Sequence, residues 1–188
     1  RLANLVDKMA VDGKPQGHCG IGHTRWATHG EPSDINSHPH GNKRVSIVHN
    51  GIIENYKQIK DFLIEEGYSF VSETDTETVA KLLDYYYVDD PVDTIIKVLA
   101  EIKGSYALGI MFRDYPDTVF AVRKESPLIV GVGENENFLA SDVPAIIKYT
   151  RDYYLLEANE IAVVKKDSVQ IYDMHKEPVH KEINTADW

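Results

Sequence analysis

Several features are scarce in this sequence, and each scarcity excludes a class of protein. There is one cysteine, Cys19, so an intrachain disulfide framework is excluded and we expect a reducing compartment, the cytoplasm. No apolar run approaches the roughly 20 residues that span a membrane. Basic residues are outnumbered, 20 Lys and Arg against 30 Asp and Glu, and the net charge of −10 works against binding to nucleic acid or to an anionic membrane.

The chain also lacks an initiator methionine and a signal peptide, because its first residue is Arg1. We therefore expect that the protein has further residues upstream of Arg1. The 188 residues, 43% of them hydrophobic and 27% charged, suit a single globular domain with a sizeable core.

Hydrophobic spacing predicts helices in the first half of the chain and strands in the second. Helices are expected at residues 1–16, at 55–66 with Asn55 and Gln58 as a capping pair, after Thr74 as N-cap, and from Asp90-Pro91 onward. Strands are expected at residues 45–49, 106–112, 118–123, 128–132, 137–140, 153–156, 160–164 and 169–172, with a short helix at 143–147. Because helices and strands do not alternate, this order indicates an α+β fold of largely antiparallel sheets with helices packed outside.

The densest group of chemically useful side chains is at residues 22–30, Gly-His-Thr-Arg-Trp-Ala-Thr-His-Gly. The planar fork of Arg25 can bind a carboxylate through two hydrogen bonds. Trp26 offers an apolar wall beside it, and Thr28 offers one more donor. An exposed Arg–Trp stack followed by a turn at Gly30 explains the same residues equally well.

Asn50-Gly51 also has two interpretations. Between apolar segments, Asn-Gly is the strongest short hairpin signal, and from the residues alone the hairpin is favoured. An Asn amide beside an unobstructed glycine N–H can instead form an oxyanion hole, in which two donors converge on an oxygen that gains negative charge.

The acidic segment at residues 72–77, Ser-Glu-Thr-Asp-Thr-Glu, is typical of a helix start. There Asp75 and Glu77 complement the positive end of the helix dipole, and this interpretation is favoured. In a binding site, Asp75 would instead hold the ammonium group of a substrate.

Six of the eight histidines crowd the first quarter of the chain, and His38-Pro39-His40 raises the question of a metal site. Neither an H-E-x-x-H motif nor a C-x-x-C pair accompanies them, so we expect no metal. A dinucleotide cofactor is not indicated either, because Gly131-Val132-Gly133 lacks the third glycine of such a loop and is predicted to be a turn.

Four segments together resemble the glutaminase domain of glucosamine-6-phosphate synthases, a family of class II glutamine amidotransferases. The matching residues are 22–30, 37–40 (Ser-His-Pro-His), 49–56 (His-Asn-Gly-Ile-Ile-Glu-Asn-Tyr) and 72–77, with a weaker match at 133–142. Their order and spacing fit, and the resemblance covers essentially the whole chain. The resemblance implies the N-terminal-nucleophile hydrolase fold, a four-layer αββα sandwich.

The resemblance also implies a role for each candidate residue. Arg25, helped by Thr28 and the backbone around His29, would hold the α-carboxylate of L-glutamine, and Asp75 would hold its α-ammonium group. The Asn50 side chain and the Gly51 N–H would stabilise the oxyanion. Trp26 would cover the site and confine the released ammonia. His38 matches a family histidine that we interpret as structural or interface-forming.

The nucleophile of this family is a cysteine at the mature N-terminus, followed by Gly-Ile, and this segment is expected upstream of Arg1. Cys19-Gly20-Ile21 imitates that motif. However, Cys19 is internal and has no free amine to act as base, so we interpret it as a strand residue without a catalytic role.

For the whole protein, the resemblance implies a single amidotransferase domain at 1–188, a sugar-isomerising domain after 188, and a homodimer. The expected function is hydrolysis of glutamine to glutamate and ammonia for the synthesis of glucosamine 6-phosphate from fructose 6-phosphate. Two alternatives stay open. The domain could serve another acceptor, such as a phosphoribosyl group, or it could bind glutamine without hydrolysing it.

Overall fold

The computed structural model describes residues 2–26 and 28–187. Arg1, Ala27 and Trp188 lie outside the described residues, and with them the first position of the predicted helix at 1–16 and the alanine of the 22–30 segment. None of the helices among the described residues combines the length and the apolar character needed to cross a membrane.

Within these ranges the chain forms four α-helices, one short 3-10 helix and ten β-strands. In chain order they are α1 (Leu2–Asp12), β1 (His40–Gly41), β2 (Val45–Ile53), α2 (Tyr56–Glu65), α3 (Asp75–Tyr86), α4 (Pro91–Leu99), β3 (Gly104–Phe112), β4 (Val119–Lys124), β5 (Ile129–Val132), β6 (Asn137–Ala140), the 3-10 helix (Val143–Ala145), β7 (Asp152–Leu155), β8 (Ile161–Val164), β9 (Val169–Tyr172) and β10 (Asn184–Thr185).

The strands form two antiparallel sheets. The larger sheet has six strands in the order β1-β2-β3-β4-β8-β9, and the smaller has four in the order β10-β7-β5-β6. The longest pairing joins β2 to β3 over nine consecutive residues of each strand. These two strands form the centre on which the candidate site is built.

Side chains of the larger sheet alternate between two apolar cores, as the period of a strand requires. On β3, Tyr106, Leu108 and Ile110 point into the core shared with α2, α3 and α4. The opposite face carries small residues, such as Ala121 of β4, and packs on the smaller sheet. Each large apolar side chain buried in this way contributes about 1.5–3 kcal/mol.

The predicted α+β class, with antiparallel sheets packed face to face and helices outside, is confirmed. Of the four αββα layers, the described residues supply the two sheets and the helical layer of α2, α3 and α4. In the same part of the chain, α1 and the 3-10 helix bury none of their side chains.

Two of the predicted helix caps are confirmed. The Thr74 hydroxyl accepts a hydrogen bond from the Glu77 backbone N–H at 3.3 Å, and the Asp90 carboxylate accepts one from the Val92 N–H at 2.9 Å. These bonds satisfy N–H groups that the first turn of a helix leaves without a partner.

Two other local predictions are wrong. Asn55 does not cap α2 with its side chain, because its amide donates to the Glu101 carbonyl and accepts from the Lys103 N–H. Cys19 is not in a strand; it lies in an irregular segment after α1. Glycines at 17, 20 and 22 weaken strand formation there.

Candidate functional site

A cavity of about 360 Å³ opens between the loop that precedes β1, the strand β2 and the start of α3. Its volume lies within the range of small-ligand sites, roughly 300–1,000 Å³. All seven predicted site residues line it, namely Arg25, Trp26, Thr28, His29, Asn50, Gly51 and Asp75, together with His38, His49, Thr74 and Thr76.

Asp75 is the first residue of α3, and its side chain is the buried charge of the cavity. The residue is only 2% exposed, and its Oδ2 accepts a hydrogen bond from the Ile53 backbone N–H at 2.8 Å. His29 and His49 approach the carboxylate at 3.7 and 4.0 Å. Among the described residues, no Lys or Arg forms an ion pair with Asp75.

Burial disfavours the charged form of His38 and His49, the two histidines on the inner wall of the cavity. Burial lowers the pKa of His49, although the Asp75 carboxylate opposes the shift. Burial lowers the pKa of His38 to about 3, helped by the neighbouring His23 and His40. Both rings lie 3.0 Å from the Thr76 hydroxyl. No Lys or Arg in the described part of the chain pairs with Asp75, so its buried carboxylate suits a positively charged ligand group.

Arg25 holds the loop at the opposite side of the cavity. Its backbone has a φ of +53°, and its guanidinium donates to the carbonyls of His29 at 2.7 Å, Gly30 at 3.2 Å and Glu31 at 3.1 Å. The sequence did not predict this clamp. Trp26 is the next residue along this loop and is 90% exposed, so its indole lies at the mouth of the cavity.

The hairpin interpretation of Asn50-Gly51 is wrong. Both residues lie inside β2, where Asn50 pairs with Ala107 and Gly51 with Tyr106. Gly51 has a φ of +123°, and a Cβ added there would overlap the Ser105 carbonyl oxygen and lie 2.7 Å from its carbon. A glycine is required at this position because two backbones approach so closely.

The Asn50 side chain is hydrogen-bonded to His23, a residue outside the cavity lining that the sequence did not identify. His23 Nε2 lies 2.6 Å from Asn50 Oδ1, and His23 Nδ1 accepts the Arg25 backbone N–H at 2.9 Å. The high density of histidines in the first quarter of the chain is the signal that points to His23. In the described part of the chain, no three His, Cys, Asp or Glu side chains are arranged to hold a metal ion.

Cys19 does not line this cavity. Burial and, to a smaller extent, the charge of Asp117 raise the pKa of its thiol. A thiol in such surroundings stays protonated and is a poor nucleophile.

Comparison with known proteins assigns this site to a family. Residues 23–148, which contain every candidate site residue, match the family model described as a glutamine amidotransferase domain. The chain belongs to the glutamine amidotransferase family.

Two curated relatives are more than half identical to this chain. The glutamine–fructose-6-phosphate aminotransferase (isomerizing) of Caldanaerobacter subterraneus subsp. tengcongensis is 56% identical over 100% of this chain and 30% of its own length. The protein of the same name from Clostridium tetani is 51% identical over 100% of the chain and 31% of its own length. The chain thus spans about 30% of the length of these relatives.

Solved structures share the fold of this glutamine amidotransferase domain. Glutamine phosphoribosylpyrophosphate amidotransferase from B. subtilis superimposes with a TM-score of 0.68 at 24% identity, over 81% of this chain and 34% of that one. A glutamine aminotransferase class-II domain protein from Silicibacter pomeroyi gives a TM-score of 0.57 at 16% identity, over 75% and 72%. At these identities the likeness concerns the fold alone.

Proposed function

We propose that this chain is the glutamine-hydrolysing domain of a glutamine–fructose-6-phosphate aminotransferase. It releases ammonia from L-glutamine for the conversion of fructose 6-phosphate to glucosamine 6-phosphate. The observation that carries the proposal is the 360 Å³ cavity, which joins a buried carboxylate that no described Lys or Arg pairs with to an arginine loop and to the Asn50-Gly51 pair.

The first step is recognition of the two charged ends of glutamine. Asp75 binds the α-ammonium group, a permanently charged partner that no described Lys or Arg gives this buried carboxylate. Arg25, Thr28 and the backbone at His29 bind the α-carboxylate. The Arg25 fork exchanges loop carbonyls for the ligand, because a charge-assisted hydrogen bond is about twice as strong as a neutral one.

The second step is attack on the side-chain amide by a thiol that this chain does not contribute. We place the nucleophile on an N-terminal segment upstream of Arg1, as a cysteine whose own α-amine takes the thiol proton. A second cavity, of about 550 Å³, lies on the other side of Asn50, against Gly109 and Leu139, and it can receive such a segment.

The bonds then change in a balanced sequence. Sulfur bonds to the amide carbon, and the Asn50 amide and the Gly51 N–H stabilise the oxyanion. The C–N bond breaks, and the nitrogen takes the proton from the α-amine and leaves as ammonia. Water hydrolyses the remaining thioester to glutamate and restores the thiol. Neither a metal nor an organic cofactor takes part in this sequence.

The rest of the proposal concerns the whole protein. A sugar-isomerising domain after residue 188 accepts the ammonia, Trp26 covers the loaded site, and two copies form the working enzyme. The names of the relatives support fructose 6-phosphate as acceptor at 56% and 51% identity. The phosphoribosyl alternative rests only on structures below 25% identity.

The test compares two substitutions in the whole protein. Arg25→Lys loses the fork, and Asp75→Asn loses the charge. Each should lower kcat/KM for glutamine about 10- to 1,000-fold, which corresponds to roughly 1.4–4 kcal/mol for a charged hydrogen-bonded contact. Synthesis of glucosamine 6-phosphate from added ammonia should change far less.

Asp93→Asn is the matched control, because Asp93 is an acidic residue in the first turn of α4 and lies outside the cavity. It should alter neither reaction. If Asp75→Asn reduced the glutamine and ammonia reactions equally, Asp75 would support the fold rather than bind substrate.

A further inference from the structure

His23 makes hydrogen bonds with both of its ring nitrogens, and both partners belong to residues of the proposed site. Nδ1 lies 2.9 Å from the Arg25 backbone nitrogen, and Nε2 lies 2.6 Å from Asn50 Oδ1. The ring also stacks on His38, with 4.3 Å between centroids. His23 itself does not line the 360 Å³ cavity, so it acts on the site only through these neighbours.

The chemistry of the two bonds fixes the direction of each. A backbone N–H can only donate, so Nδ1 of His23 must accept and carries no proton. A neutral imidazole has one N–H, which is then on Nε2, and this N–H donates to Asn50. Its partner must be the amide oxygen, so the Asn50 NH₂ group faces away from His23.

We propose that His23, as its neutral Nε2–H tautomer, is a positioning residue that sets the orientation of the Asn50 amide and thereby makes it an oxyanion donor. This inference rests on the proposed function. With the amide reversed, Asn50 would present an oxygen lone pair to a developing negative charge, and the repulsion would replace a stabilising hydrogen bond.

The His23 ring connects the Arg25 loop, which is proposed to bind the substrate carboxylate, with Asn50 on β2. Arg25, whose N–H fixes the tautomer, has the left-handed φ of +53° and holds the loop that binds the substrate carboxylate. Asn50, whose amide oxygen accepts the hydrogen bond from the Nε2–H of His23, lies on β2. In the wild type, the Arg25 N–H therefore selects the tautomer of His23 that donates to Asn50.

Two substitutions in the whole protein separate this role from simple packing. His23→Gln keeps an amide N–H near the position of Nε2, so it can still donate to Asn50, but it loses the acceptor for the Arg25 N–H. His23→Asn keeps an acceptor near Nδ1 but is too short to donate to Asn50. Each variant thus removes a different one of the two hydrogen bonds of His23.

We expect His23→Asn to lower kcat for glutamine about 10- to 100-fold with KM changed less than about threefold, because the lost interaction exists only in the transition state. His23→Gln should stay within about fivefold of wild type. In an Asn50→Ala background, His23→Asn should have less than about a twofold further effect. The ammonia-dependent reaction reports folding and should stay unchanged in all variants.

The inference is overturned if the two His23 variants lower kcat for glutamine equally or if His23→Gln lowers it more. It is also overturned if His23→Asn raises KM for glutamine instead of lowering kcat. Nitrogen-15 NMR of wild-type protein labelled at histidine gives an independent check if neither variant folds. A proton on Nε2 of His23 supports the inference, and a proton on Nδ1 overturns it. If the wild type releases no glutamate from glutamine, the proposed function itself fails.

Discussion

Gly51→Ala tests the close approach on which the oxyanion-hole geometry depends. The added Cβ would overlap the Ser105 carbonyl oxygen, lie 2.7 Å from its carbon and lie 2.9 Å from Ser126 Oγ. Two of these atoms belong to the backbone of the segment that pairs with β2, so they can move only if the two strands separate. The φ of +123° adds strain for any residue that has a side chain.

The expected cost has two parts. Holding a non-glycine residue at this φ costs about 1–3 kcal/mol. Forcing extra atoms into a packed site costs about another 1–3 kcal/mol. The sum, about 2–6 kcal/mol, is a large fraction of a typical domain stability of about 5–15 kcal/mol.

Gly67→Ala is the matched control, because Gly67 has a φ of +97° and its added Cβ would meet no atom within 4 Å. It should carry the strain without the clash. In urea denaturation of the 188-residue chain, followed by circular dichroism, Gly51→Ala should therefore be less stable than Gly67→Ala by about 1–3 kcal/mol.

Activity provides a second measurement in the whole protein. Alanine keeps the backbone N–H, but the clash with Ser105 should shift it away from the oxyanion. Under conditions where the protein stays folded, Gly51→Ala should therefore lower kcat for glutamine about 100- to 1,000-fold, the usual effect of losing one oxyanion donor. Equal stability of Gly51→Ala and Gly67→Ala would refute the close contact between Gly51 and Ser105. Near-normal glutamine hydrolysis by Gly51→Ala would refute the role of the Gly51 N–H as an oxyanion donor.

Three further outcomes follow from the site. The 188-residue chain alone should release no glutamate in a coupled assay, because no thiol lines the cavity in the described residues; sustained release would contradict this. Cys19→Ala in the whole protein should keep glutamine hydrolysis within about fivefold of wild type, since burial raises the pKa of that thiol, and abolition of hydrolysis with intact folding would contradict this. Burial lowers the pKa of His38 from 6.5 to about 3, so the unfolded chain gains a proton below 6.5 that the folded chain resists. The Tm should therefore fall between pH 7.5 and pH 5, and it should fall less in His38→Gln; an equal fall in both proteins would contradict this.

Much of the fold could be predicted from the sequence because its strands are short apolar or alternating segments separated by turn residues. The predicted strands at 137–140 and 169–172 coincide with β6 and β9, and the prediction at 106–112 misses only the first two residues of β3. The strands β1 and β10 have two residues each, which is too short for any period to be detected.

The main error in the fold has a physical cause. Asn50-Gly51 has the local preference of a turn, and this ended the predicted strand at residue 49. In the structure, nine consecutive pairs between β2 and β3 outweigh that preference, and the strand continues to Ile53.

The candidate site could be predicted only in part. From the residues alone, each of its three segments had a plain structural explanation, and the resemblance to a family connected them. Their meeting in one cavity depends on contacts between distant parts of the chain, which local patterns do not encode. The bonds of His23 and the Arg25 clamp were missed for the same reason.

The most direct test of the account is to map where a glutamine analogue with a diazo-ketone group attaches covalently to the whole protein. Mass spectrometry of digested protein should find the adduct on a cysteine upstream of Arg1. Excess glutamine should prevent labelling, and Asp75→Asn should slow it about 10-fold or more. An adduct on Cys19, or labelling that neither glutamine nor Asp75→Asn affects, would contradict the claim that this cavity binds glutamine for an N-terminal nucleophile.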